Sequence, residues 1–145
     1  ITLTHMKLLL MQRKTNITYF MKTKQFRSEF GNDIIVNIIG SDDFRYSVVK
    51  PLFESYGFGF MIPANISEKL MLIDGEQKLN KHILKWIEAH EVAHFMLGHG
   101  LTKNNSAEEE IQADRLAYQM LDDKGYTKSA QMVKDKFEER HGIKY

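Results

Sequence analysis

With 145 residues, 43% hydrophobic content and a formal net charge of +1, the chain is sized for one domain with a modest core. It carries no global electrostatic preference for nucleic acid or an anionic surface. It has no cysteine, which excludes disulfides and thiolate metal sites and fits a cytoplasmic protein. The apolar run Leu8-Leu9-Leu10-Met11 is too short for a signal peptide or a membrane span, so no membrane partner is expected.

The charge is unevenly placed. The first 28 residues hold six Lys or Arg and no Asp or Glu. Such a basic arm can hold nucleic acid or an anionic surface, or it can be a disordered tail or non-native sequence. The chain opens on Ile1 with Met6 and Met21 as candidate starts, which favours the last reading and makes nucleic acid an unlikely partner. Residues 1–20 are accordingly expected to be a basic tail, and residues 21–145 a single domain.

Ile34 to Ile39 reads as a strand, and Asp42 to Ser55 as a helix interrupted or started anew at Pro51. Phe58 to Ile62 and Lys69 to Ile73 follow as strands around the turn Pro63-Ala64-Asn65. Leu84 to Gly98 is the next helix, and Gly98 and Gly100 are suited to stopping it. A short polar loop, His99 to Asn105, returns the chain antiparallel. Ser106 and Glu109 form a Ser-x-x-Glu capping box, so a helix should begin near Ala107 and run to Asp123, with Ala113, Leu116, Ala117, Met120 and Leu121 on its apolar face. Lys128 to His141 closes the chain as a helix in which Ala130, Val133 and Phe137 look like ordinary packing. Strands followed by helices predict an α+β fold.

The chemistry concentrates in His90-Glu91-Val92-Ala93-His94, an HExxH motif. Residues four apart on a helix lie about 40° apart around its axis, so both imidazoles can reach one metal ion while Glu91 projects beside them. Trp86, Ile87, Ala89, Val92, Ala93, Phe95, Met96 and Leu97 make the stretch apolar nearly all round, as in a buried helix. An unpaired imidazole or carboxylate there would cost several kcal/mol or so, and a metal is the partner that suits this spacing. The plain alternative is a pair of core histidines satisfied by hydrogen bonds.

Glu110 falls in the first turn of the following helix, close to the last turn of the motif helix, and shares its inward side with Ala113, Asp114 and Ala117. His90, His94 and Glu110 as ligands would leave a tetrahedral zinc one position for water, the pattern of a catalytic site. Glu91 would act as general base, taking a proton from that water and passing it to a leaving amine. Asp114, one turn after Glu110, is placed to accept a hydrogen bond from the outer nitrogen of a ligand imidazole. The metzincin pattern is disfavoured, because Leu97 and Gly100 stand where it requires Gly and His. Glu109 is used by the capping box, and Glu108 points away from Glu110 as solvated charge at a helix N-terminus. His99 either stabilises an oxyanion or caps the preceding helix, the cap being the simpler role; Arg115 and Tyr118 have no assigned role.

HEVAHFMLGH followed by EEEIQADRLAYQML resembles the ImmA/IrrE family of small metallopeptidases, within the gluzincin class that shares HExxH and a downstream Glu in an ExxA[ND] context. The resemblance covers about Leu70 to Leu121. It implies His90, His94 and Glu110 as zinc ligands, Glu91 as catalytic base, and Asp114 at the Asp/Asn position. It also implies a zincin-like fold, a small antiparallel or mixed sheet packed on the HExxH helix and further helices. Its members cleave repressor proteins of phages, mobile elements or stress switches, so the expected partner is a protein or peptide substrate such as a transcriptional repressor. No helix-turn-helix segment, which members often carry or neighbour, is read here. The competing readings are a non-catalytic zinc-containing module that binds a regulatory partner, and a nucleic-acid-binding protein that uses the basic arm.

Overall fold

The computed structural model describes residues 24–63, 68–77, 79–100 and 104–145. The basic tail assigned to residues 1–20 lies outside them, as do Ala64 and Asn65 of the expected turn and residues 101–103 of the loop after the HExxH helix. Four strands and four α-helices are present among the described residues, an α+β fold with a mixed sheet. The chain divides before Leu79 into two compact units.

In the first unit, strands β1 (Lys24–Arg27), β2 (Ile34–Ile39), β3 (Gly59–Pro63) and β4 (Lys69–Asp74) form one sheet in the order β1-β2-β4-β3. β2 and β4 run parallel, with Val36 opposite Met71, whereas β1 on β2 and β3 on β4 are antiparallel. Helix α1 (Tyr46–Tyr56) packs on β3 and β4. Ile39, Val49, Phe53, Phe60, Ile62, Leu70 and Leu72 make the core there.

In this unit one strand is added to the sequence reading and one helix start is corrected. Lys24–Arg27, within the basic arm, form strand β1, whose charged and polar side chains are largely exposed at the sheet edge; lysine and arginine at such an edge discourage pairing with another chain. The helix after β2 begins at Tyr46 rather than Asp42, because Asp43 Oδ1 accepts a hydrogen bond from the Arg45 backbone N–H at 2.9 Å and its carboxylate grips the Arg45 guanidinium at 2.7 Å, holding a turn in place of a helix start. The helix then passes through Pro51 without a break. Proline removes one hydrogen bond, to the carbonyl of Ser47, and both residues lie on the exposed side.

The second unit is three helices: α2 (Lys81–Met96), α3 (Ala107–Asp123) and α4 (Thr127–His141), each packed on the other two. α2 starts earlier than Leu84 because the Asn80 side chain accepts from the backbone N–H groups of His82 and Ile83, both at 3.0 Å. It ends at Met96, and Gly98 follows at φ 77°, a left-handed conformation that favours glycine. α3 opens with the capping box intact, Glu109 N–H to Ser106 Oγ at 3.1 Å and Ser106 N–H to Glu109 Oε1 at 3.0 Å. Ala89, Val92 and Ala93 of α2, Ala113, Ala117 and Leu121 of α3, and Ala130, Val133 and Phe137 of α4 are all buried. Small side chains at these positions let α2 and α3 approach closely. The expectation of an all-round buried α2 is corrected at its end, where Met96 and Leu97 are 59% and 42% exposed. No helix of the described residues is long and apolar enough to cross a membrane.

Candidate metal centre

The pairings between α2 and α3 fix the site. Asp114 meets Trp86 and His90, Glu110 meets His90 and His94, and Gln112 meets His99, so α3 runs back along α2 in the antiparallel sense expected from the sequence. Helical spacing then does the positioning. His90 and His94 lie one turn apart on α2, and Glu110 and Asp114 one turn apart on α3.

Three ligand-type atoms converge. His90 Nε2 lies 2.9 Å from Glu110 Oε2, His94 Nε2 lies 3.1 Å from the same oxygen, and the two Nε2 atoms are 3.0 Å apart. His90, His94 and Glu110 thus form a cluster that could hold a metal ion. Zinc bonds of about 2.0–2.1 Å in tetrahedral geometry space the ligand atoms roughly 3.3 Å apart, so the observed triangle needs to open by only a few tenths of an ångström. Two imidazoles and one carboxylate also suit zinc by donor chemistry.

Proton accounting gives an independent test of that fit. His90 Nδ1 is 2.7 Å from Oδ1 of Asp114, whose carboxyl is held well below its ordinary range: burial opposes ionisation, but the His90 hydrogen bond and charge, Arg140 and His141 outweigh it. Nδ1 therefore donates to Asp114. A neutral His90 must then present a lone pair at Nε2, facing the Glu110 carboxylate. Two acceptors at 2.9 Å repel unless a positive charge lies between them. In the ion-free protein a proton supplies it. Burial disfavours a charged His90, yet the hydrogen bonds to Asp114 and Glu110 and the charge of Glu91 push it up to about 10. Glu110 moves the other way: burial would raise it, but hydrogen bonds from His90 and His94 hold it well below its ordinary value. A metal cation in the triangle would satisfy the same three atoms.

Glu91 stands beside the triangle, its Oε2 4.0 Å from His90 Nε2, with 17% of its side chain exposed. Burial and the Glu110 charge raise its carboxyl, and His90 draws it back, leaving it at about 7. That is the range in which a carboxylate both takes and returns a proton near neutral pH. Glu110, at 36% exposed, is the most open member of the cluster. A cleft of about 280 Å³ lies against it, lined by Ala107, Glu110, Ile111, Arg140 and His141.

Two residues of the site were missed in the sequence. Asp114 is fully buried and receives four donors: Trp86 Nε1 at 3.1 Å, His90 Nδ1 at 2.7 Å, Arg140 Nε at 3.0 Å and His141 Nε2 at 2.6 Å. Arg140 also stacks over Trp86 at 5.1 Å. α4 is therefore more than packing. Its buried stripe, Ala130, Val133 and Phe137, continues at three- and four-residue spacing to Arg140 and His141, and that periodicity is the signal that would have found them.

The remaining candidates resolve by contact. His99 caps α2 through its backbone, with its N–H 2.9 Å from the His94 carbonyl, while its ring bonds to His94 and Gln112 rather than to a helix carbonyl. Arg115 lies over Phe137 and Tyr118 against Tyr145, both as packing contacts. Glu108 is exposed and Glu109 is held in the capping box. Comparison with protein-family models, with curated proteins and with solved structures found no match.

Proposed function

We propose that the chain is a zinc-dependent metallopeptidase in which His90, His94 and Glu110 hold the ion and Glu91 is the general base. The observation that carries the reading is the convergence of three ligand-type atoms at about 3 Å, with a near-neutral carboxyl beside them. When bound, zinc supplies Lewis acidity and brings the pKa of water toward neutrality. Glu91 accepts a proton at its exposed edge and returns it to the leaving amine, a cycle that needs a carboxyl able to change state near pH 7. Asp114 holds the Nδ1 proton of His90, so that Nε2 keeps its lone pair for the ion. Trp86, Arg140 and His141 keep the Asp114 carboxylate in place and ionised. The HExxH motif with Glu110 and Asp114 in an ExxAD context carries the likeness to ImmA/IrrE metallopeptidases, from which a repressor-type protein is the expected substrate.

The test is a Glu91→Gln variant. It should bind zinc stoichiometrically and lose cleavage of protein or peptide substrates by a factor on the order of 10²–10⁴, followed as fragments in mass spectrometry. Zinc binding without cleavage by the unmodified protein, across a peptide library and candidate repressors, would replace the peptidase with a zinc-containing binding module. Absence of stoichiometric zinc after reconstitution would remove both.

A further inference from the structure

The cleft of about 280 Å³ beside the candidate metal centre shares one wall residue with it, Glu110. Ala107 and Ile111 of α3 form its apolar side, and Arg140 and His141 come from the last turn of α4. A group seated there lies next to whatever reacts at the triangle of His90, His94 and Glu110. The polar groups of the wall are not equally committed. His141 Nε2 lies 2.6 Å from Asp114 Oδ2, and Glu110 Oε2 lies 2.9 and 3.1 Å from the two imidazoles of the triangle. Arg140 uses only Nε, 3.0 Å from Asp114 Oδ2, while its guanidinium lies over the Trp86 ring at 5.1 Å. Its two terminal nitrogens have no hydrogen-bond partner among the described residues, and 42% of the side chain is open to solvent.

We infer that Arg140 is a specificity-determining residue that selects a carboxylate in the substrate beside the scissile bond, with Ala107 and Ile111 against the aliphatic stem that carries it; this rests on the metallopeptidase reading above. A guanidinium held at Nε and across one face has little rotamer freedom left to lose, so pairing with a ligand costs little further ordering. The edge formed by its two terminal nitrogens presents parallel N–H donors, the geometry that matches the two oxygens of a carboxylate. Glu110 shares the wall, but its Oε2 faces the imidazoles, whereas the Arg140 fork is uncommitted. The ligand chemistry is a carboxylate on a short apolar stem, supplied either by a Glu or Asp side chain or by the substrate's own C-terminus.

The probes are short alanine peptides blocked at both ends that carry one Glu at each position in turn, their Gln twins, and an all-alanine peptide ending in a free carboxylate or in an amide. Trp86 is the single tryptophan of the chain and lies under Arg140, so its fluorescence follows binding independently of cleavage, with calorimetry as the check. The zinc-loaded protein should bind the Glu peptide of the best position, and cleave it by kcat/KM, about 10–100-fold better than its Gln twin. The same ratio between free acid and amide assigns the carboxylate to the C-terminus instead. In Arg140→Gln the ratio should fall to within about threefold. That variant also takes a donor from Asp114 and weakens zinc binding, but a ratio taken on one zinc-saturated protein does not depend on that loss. Ala107→Glu, at an exposed position where a carboxylate suits the start of α3, should lower the ratio with the pair of Arg140 and Asp114 intact. Ratios within about threefold for both carboxylate sources in the unmodified protein, or a ratio that survives in folded Arg140→Gln, overturn the inference. Where circular dichroism shows Arg140→Gln unfolded, an unchanged ratio in Ala107→Glu overturns it. Absence of cleavage with the binding ratio intact overturns the peptidase reading alone.

Discussion

Asp114 joins the three helices of the second unit at one carboxylate. It has no exposed surface, and its four donors come from α2 and α4. A buried carboxylate with this many donors is well satisfied, so removing it costs more than any single hydrogen bond. Asp114→Ala leaves His90 without its proton acceptor and Arg140 and His141 without their buried partner. Zinc affinity should drop 10–100-fold, and urea unfolding of the metal-free protein should show a loss of about 3 kcal/mol. A variant that lost only affinity would confine Asp114 to orienting His90; one that lost only stability would remove it from the metal centre.

At the scale of elements, the entry into α3 places Glu110. The capping box satisfies two backbone donors and sets where the first turn begins, and Glu110 lies one residue after Glu109 in that turn. Ser106→Ala should lower stability by about 1 kcal/mol in thermal or chemical unfolding, and should weaken zinc binding without touching a ligand, as the turn carrying Glu110 frays. Unchanged zinc affinity in that variant would mean that helix packing alone positions Glu110. This part of the molecule was legible in the sequence because its signals are local: HExxH needs only helical periodicity, and Ser106 with Glu109 announces the helix that delivers Glu110 and Asp114. Strand β1 was not legible, because Lys24-Gln25-Phe26-Arg27 has no apolar alternation and becomes a strand only through pairing with β2. Arg140 and His141 look like the solvated end of a helix until the fold brings them within 3.0 Å and 2.6 Å of Asp114. The contact of His99 with Gln112 joins residues thirteen apart across a helix connection, so neither residue alone carries the signal.

Across the whole molecule a net charge of +1 conceals a concentrated group of shifted ionisations, and pH should act on stability mainly through it. Glu110 and Asp114 are depressed from ordinary values of 4.5 and 3.8, so their contributions are present above those values and disappear as pH falls below them. His90 is raised from 6.5 to about 10; its contribution is complete below pH 6.5 and is lost as pH climbs through about 10. Glu91 is raised from 4.5 to about 7, and the folded state therefore loses stability as pH rises across that interval. The metal-free protein should accordingly be most stable near pH 5 and decline steadily toward pH 9. Zinc reverses the trend, because it competes with the proton on His90 and binds better as that proton is removed. At a free zinc concentration about 100 times Kd the gain is about 2.7 kcal/mol, and the ratio of concentration to Kd grows with pH. Melting temperatures recorded in a chelator and in excess zinc should lie close together at pH 5 and separate progressively up to pH 9. Parallel curves would mean that the proton on His90 and the ion do not share one site.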